Sequence, residues 1–79
     1  MDMTPDQCRA GRALIKWTQQ QLADAAGIGI ATLTLFESGA TDPRSATIQV
    51  LQRALGDAGV VFLGDGEMVH GGAGVRLRK

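Results

Sequence analysis

Apolar residues recur at helical spacing as far as residue 58, and then the pattern changes to a short run and an alternation. Leu22, Ala23 and Ala26 share one helical face, as do Leu33 and Phe36, and as do Ile48, Leu51 and Leu55. Cys8, Leu14, Ile15 and Trp17 are the apolar residues of a first segment. Thr4 is a natural N-cap, Pro5 suits the first helical position, Asp6 favours the positive end of the dipole, and Gln7 completes a Thr-x-x-Gln capping box. These signals predict a helix over 5–17. Thr18 caps a second helix over 19–26, and Gly27 ends it in the left-handed conformation. A third helix runs over 30–38, with Ile28 adding to its core side and Gly39 closing it. A loop over 40–44 is broken at Asp42-Pro43, and Ser45 caps a fourth helix over 46–58, stopped at Gly59.

Val60-Val61-Phe62-Leu63 is β-branched and aromatic, Gly64-Asp65-Gly66 is turn chemistry, and Val75-Arg76-Leu77-Arg78 alternates apolar and basic. This predicts a β-hairpin pairing 60–63 with 75–78. The chain divides into a helical domain over 1–59 and a hairpin tail over 60–79. The helical core is expected to close without the tail, and a lone hairpin is marginal in water. Val60, Val61, Phe62, Leu63, Val75 and Leu77 are therefore expected to pair with a second copy and make a homodimer.

Residues 18–39 carry the functional signal. They read as two short helices joined by a tight turn, with Ala23 small at the crossing and Gly27 free to take a positive φ. That is the sequence form of a helix-turn-helix, which lays its second helix in the major groove of DNA.

Charge shapes that reading. The 79 residues carry zero formal net charge, so contact with DNA must come from local charge, not from a bulk basic field. Arg9, Arg12, Lys16, Arg44 and Arg53 stand in the helical part, and Arg76, Arg78 and Lys79 at the end. Arg44 is the first candidate for a phosphate contact. Cys8 is the single cysteine, which fits a small core residue and a reducing compartment. No long apolar run or signal peptide is visible, so a cytoplasmic protein with no membrane contact is expected. His70 has no ligand partner at metal spacing, and no catalytic set is visible. No metal, cofactor or enzymatic activity is expected.

From Met3 to about Ala58 the chain resembles the Cro/C1-type (XRE family) helix-turn-helix regulators. The resemblance rests on Thr18-Gln19, Leu22-Ala23, Ala26-Gly27, Thr32-Leu33, Phe36-Glu37, Gly39, Pro43 and the apolar positions of the fourth helix. It implies a mainly α fold: a four-to-five-helix lambda-repressor-like DNA-binding domain. The ending resembles a short subgroup with a β-segment where many relatives place a fifth helix. The resemblance implies that Thr18 and Gln19 face DNA, with Gln19 on a phosphate and buttressing the third helix. Gly29, Ile30, Ala31, Thr34 and Leu35 would face bases or adjacent phosphates, Arg44 would lie near the minor groove, and Arg12 and Glu37 would form a structural ion pair.

The chain departs from the family pattern where Ile30 replaces a polar residue and Leu35 replaces Arg or Gln. None of the outward side chains can make a bidentate base contact, so readout would rest on thymine methyls, the Thr34 hydroxyl, DNA shape and half-site spacing. The expected function is a sequence-specific DNA-binding transcriptional regulator acting as a homodimer on an inverted repeat. The alternative is a protein-binding module, antiactivator or antitoxin-like, that turns the same apolar face to a protein partner.

Overall fold

The computed structural model describes residues 3–39, 45–63 and 74–78. Among these it holds four helices, α1 (Pro5–Leu14), α2 (Gln19–Ala26), α3 (Ile30–Ser38) and α4 (Ser45–Asp57). Strands β1 (Val60–Leu63) and β2 (Gly74–Leu77) form a two-stranded antiparallel sheet. The loop containing Asp42, Pro43 and Arg44, the turn at 64–66, the stretch containing His70, and Lys79 lie outside the described residues. None of the described helices is long and apolar enough to cross a membrane.

Helix starts follow their local chemistry. The Thr4 hydroxyl accepts from Gln7 N at 3.1 Å, and Gln7 Oε1 accepts from Thr4 N at 2.9 Å. Thr18 and Gln21 repeat this box at the start of α2. Gly27 ends α2 at φ 73°, and Ile28 N reaches back to the Ala23 carbonyl at 3.0 Å. Helix α1, expected to reach residue 17, stops at Leu14. Lys16 takes φ 58° and reverses the chain, while the Arg12 guanidinium donates to the Trp17 carbonyl at 3.0 Å. Ile15 and Trp17 thus pack on the core from the turn, and Leu14 is left exposed.

The core gathers Met3, Cys8, Leu22, Ala23, Leu33, Phe36, Leu51, Ala54, Leu55 and Val60. The presence of Val60 corrects the expectation that the helices close without the tail. Register pairs Val60 with Leu77, Val61 with Arg76, Phe62 with Val75 and Leu63 with Gly74. Opposed residues share a face, so Val60, Phe62, Val75 and Leu77 lie on one side and Val61, Leu63 and Arg76 on the other. Val60 is buried, and Phe62 and Val75 pack against the same core. Hydrophobic burial within one chain therefore claims half of the residues expected to serve a dimer.

Two contacts seat the sheet. Gly11 lets α1 approach β1 so closely that an added Cβ would meet Val60 Cγ1 at 3.3 Å. Gln7, itself buried, sends one N–H to the Leu63 carbonyl and the other to the Gly74 carbonyl, each at 3.0 Å. With Oε1 in the capping box, this one amide ties the helix start to both strands. At the other end Arg78 Nη2 donates to the Gly56 carbonyl at 3.0 Å, where the dipole of α4 favours a cation.

Candidate nucleic-acid interface

Helix α3 is apolar on two sides. Leu33 and Phe36 enter the core, yet Ile30 is 42 % and Leu35 50 % exposed, with Ala31 and Thr34 exposed beside them. The apolar surface that Ile30 and Leu35 leave in water is available for contact with a partner. Gly29 is the N-cap of α3 and offers no side chain to its first turn. Any partner can therefore approach those backbone N–H groups closely.

What holds this helix in place is Glu37, 2 % exposed on its inner side. Its carboxylate accepts four hydrogen bonds. Arg12 Nε and the Cys8 thiol donate to Oε2 at 2.8 and 3.2 Å, and Arg12 Nη2 and Gln19 Nε2 donate to Oε1, each at 2.9 Å. Burial pushes this carboxyl up, but the hydrogen bonds from Arg12, Gln19 and Cys8 and the nearby guanidinium outweigh it and hold the group below its ordinary value. The same contact raises Arg12 above its ordinary value. Desolvation, then the hydrogen bond to Glu37, pushes the Cys8 thiol far up, so it stays protonated and acts as a donor. Residues from α1, α2 and α3 thus meet on one ionised group. No buried side-chain nitrogen or oxygen among the described residues lacks a partner.

Gln19 links this interior to the surface. Its Nε2 donates to Glu37, and its Oε1 accepts from the Thr34 hydroxyl at 3.4 Å. The Thr18 hydroxyl is engaged in capping α2. Thr18, Gln19, Gly29 and the outward residues of α3 therefore belong to one region, the start of α2 and the exposed side of α3. Arg44, expected to join them, lies outside the described residues.

Three side chains do work that their sequence positions did not announce. Arg9, one of the basic residues of the helical part, donates to the Glu37 backbone carbonyl and to Asp6, fastening the end of α3 to α1. The Cys8 thiol is part of the Glu37 cluster as well as the core. Gln7 reaches strands 56 and 67 residues away. Local spacing signals only the capping role of Gln7. Away from α3, a shallow groove of about 230 Å³ lies between α2 and α4, lined by Ala25, Ala26, Val50, Arg53, Ala54 and Asp57. No group of three His, Cys, Asp or Glu among the described residues is placed to hold a metal ion.

Comparison with known proteins places this geometry. The helix-turn-helix family model matches residues 9–58, which take in all of α2, α3 and α4 and most of α1. No curated protein matches the chain.

Proposed function

The chain belongs to the Cro/C1-type helix-turn-helix family of DNA-binding regulators, and from that membership we propose that it is a sequence-specific transcriptional regulator acting as a homodimer. Helix α3 enters the major groove of each half of an inverted repeat. The observation that carries this reading is the contrast between the two sides of α3. Glu37 locks one side to α1 and α2, while Ile30, Ala31, Thr34 and Leu35 are held out to solvent.

Each part has a role in such a complex. Ile30, Ala31 and Leu35 supply methyl contacts to thymine. Gln19 has two amide N–H groups and gives one to Glu37, so the other serves a phosphate without disturbing the cluster. Thr18, the Gly29 backbone at the start of α3, and Arg44 serve further phosphates. One short helix covers few base pairs, which favours two copies with half-sites about 34 Å apart. Val61, Leu63 and the exposed Leu77 are the tail residues that support pairing of two copies, since Val60, Phe62 and Val75 serve their own core.

Fluorescence anisotropy on duplex DNA tests the reading. Affinity is expected to fall with salt on a log–log slope of about −0.9 for each phosphate neutralised. Ile30→Asp is expected to abolish binding with unchanged circular dichroism, because Ile30 is exposed. A second reading is favoured by the apolar surface of α3 and the zero net charge: a module that binds another protein through Ile30 and Leu35. No DNA retention at low salt, together with a stoichiometric co-purified partner lost in Ile30→Asp, would select it.

A further inference from the structure

The Glu37 cluster fixes more than the position of α3; it fixes the direction of the hydrogen bond that leads through Gln19 to Thr34 on the outward side. An ionised carboxylate only accepts. Glu37 carries its charge against Arg12 Nε and Nη2, so Gln19 must present its NH2 group to Glu37 Oε1, at 2.9 Å. That choice turns the Gln19 carbonyl oxygen outward, where it can only accept. Thr34 lies against it at 3.4 Å and must be the donor. A hydroxyl has one proton, and this one points inward. What Thr34 offers to solvent is lone pairs.

We infer that the relay Glu37–Gln19–Thr34 makes Thr34 a hydrogen-bond acceptor in the major groove, so that it selects a base carrying a donor there: the amino group of adenine or of cytosine. This rests on the DNA-binding reading above. Guanine O6 and N7 and thymine O4 only accept. They face Thr34 lone pair to lone pair, as does any phosphate oxygen. Thr34 is then a base-reading residue, not a phosphate contact. Glu37 and Gln19 are its positioning residues and decide polarity without touching the base.

Selection of binding sites from randomised duplexes, with the full chain and with Thr34→Val, Thr34→Ser and Gln19→Leu, tests this. Thr34→Val is nearly isosteric at an exposed position, so folding is not at risk. The expected result is one position per half-site at which the wild type takes A or C. Thr34→Ser keeps that preference, Thr34→Val loses it, and Gln19→Leu broadens it to admit G or T. On a fixed site, replacing the selected base by its analogue lacking the exocyclic amine is expected to weaken the wild type roughly three- to tenfold, as for one neutral hydrogen bond. Thr34→Val is expected to be indifferent to that replacement. If the wild type enriches sequences but the Thr34-dependent position holds G or T, or no position depends on Thr34, the inference fails while DNA binding stands. A position that depends on Thr34 but is unmoved in Gln19→Leu also overturns the relay. If the wild type enriches nothing at low salt, DNA binding itself fails and takes the inference with it.

Discussion

Replacing Glu37 by Gln isolates the contribution of the ionised centre, because the side chain keeps its shape and loses only charge and one acceptor. Four donors converge on the two carboxylate oxygens, two on each. An amide has one oxygen, so its NH2 must face either Arg12 Nε and the Cys8 thiol, or Arg12 Nη2 and Gln19 Nε2. Whichever side it faces, two donors lose their acceptor and meet another donor. Arg12 is left charged with its side chain only 19 % exposed. Removing one partner of a buried pair costs about 3–5 kcal/mol. Arg12 keeps its bond to the Trp17 carbonyl, at 3.0 Å, and some water. That places the expected loss at the low end, about 3 kcal/mol. A chain of this size has roughly 4–12 kcal/mol in all. The melting temperature is therefore expected to fall by roughly 12–24 °C.

Urea and thermal unfolding followed by circular dichroism measure this directly. The difference should also depend on pH in a definite direction. The folded-state value of Glu37 is lowered, so the stability it supplies is fully present above the unfolded carboxyl value, about 4.3. It is lost as pH falls through the folded value. The gap between wild type and Glu37→Gln is thus expected to be widest near neutrality and to close in acid. A loss under about 1 kcal/mol at pH 7, the range of exposed pairs, would refute the assignment of Glu37 as a buried, ionised centre. So would a gap that stays constant down to pH 3.

Three further outcomes follow from the same contacts. Gln7→Leu leaves the Leu63 and Gly74 carbonyls without their amide; it is expected to cost about 1–3 kcal/mol and to speed amide exchange in β1 more than in α2. The Cys8 thiol is buried and held protonated, so a disulfide reagent is expected to leave the native protein unlabelled and to react at the rate of unfolding; rapid labelling under native conditions would contradict its place in the cluster. Val60→Ala is expected to destabilise the single chain by about 2 kcal/mol, whereas Val61→Lys on the other side of the sheet is expected to leave folding nearly intact and, if the proposed dimer forms through the tail, to give a monomer in sedimentation.

Legibility in the sequence followed the range over which each signal acts. Both capping boxes act over three residues and Gly27 over one turn, so Thr4, Gln7, Thr18 and the end of α2 were readable from local chemistry. The end of α1 was not. Leu14, Ile15 and Trp17 continue the apolar pattern without a glycine or proline, and the reversal at Lys16 is imposed by packing of Trp17 and its bond to Arg12. The pair Arg12–Glu37 spans 25 residues and entered through family resemblance, not through periodicity. Arg9 on the Glu37 carbonyl and Arg78 on the Gly56 carbonyl are contacts to backbone. They leave no mark on the identity of their partners. Sequence reasoning assigns Val60 to a dimer contact and not to its own core, because a short strand gives no hint of which side will find a helix; the small Gly11 gains its meaning only once the strand is placed against α1.

The composition of α3 explains why so much polar structure is spent behind it. The helix has nine residues, no side-chain N-cap and no charge on its outward side, so it cannot persist by itself. A surface rich in Lys or Arg tolerates some play, because long flexible cations follow a phosphate over ångströms. Methyl contacts and a single threonine hydroxyl do not: dispersion falls away within a fraction of an ångström, and a hydroxyl reads a base only in the right polarity. The proposed reader, built from Ile30, Ala31, Thr34 and Leu35, needs its helix fixed in position, and Leu33 and Phe36 alone leave rotation about the helix axis softly restrained. Glu37, bonded from α1 and α2 together, removes that freedom. On the proposed reading, the apolar outer side of α3 and the buried carboxylate on its inner side are one device, in which fixed geometry replaces the long-range attraction that a neutral chain lacks.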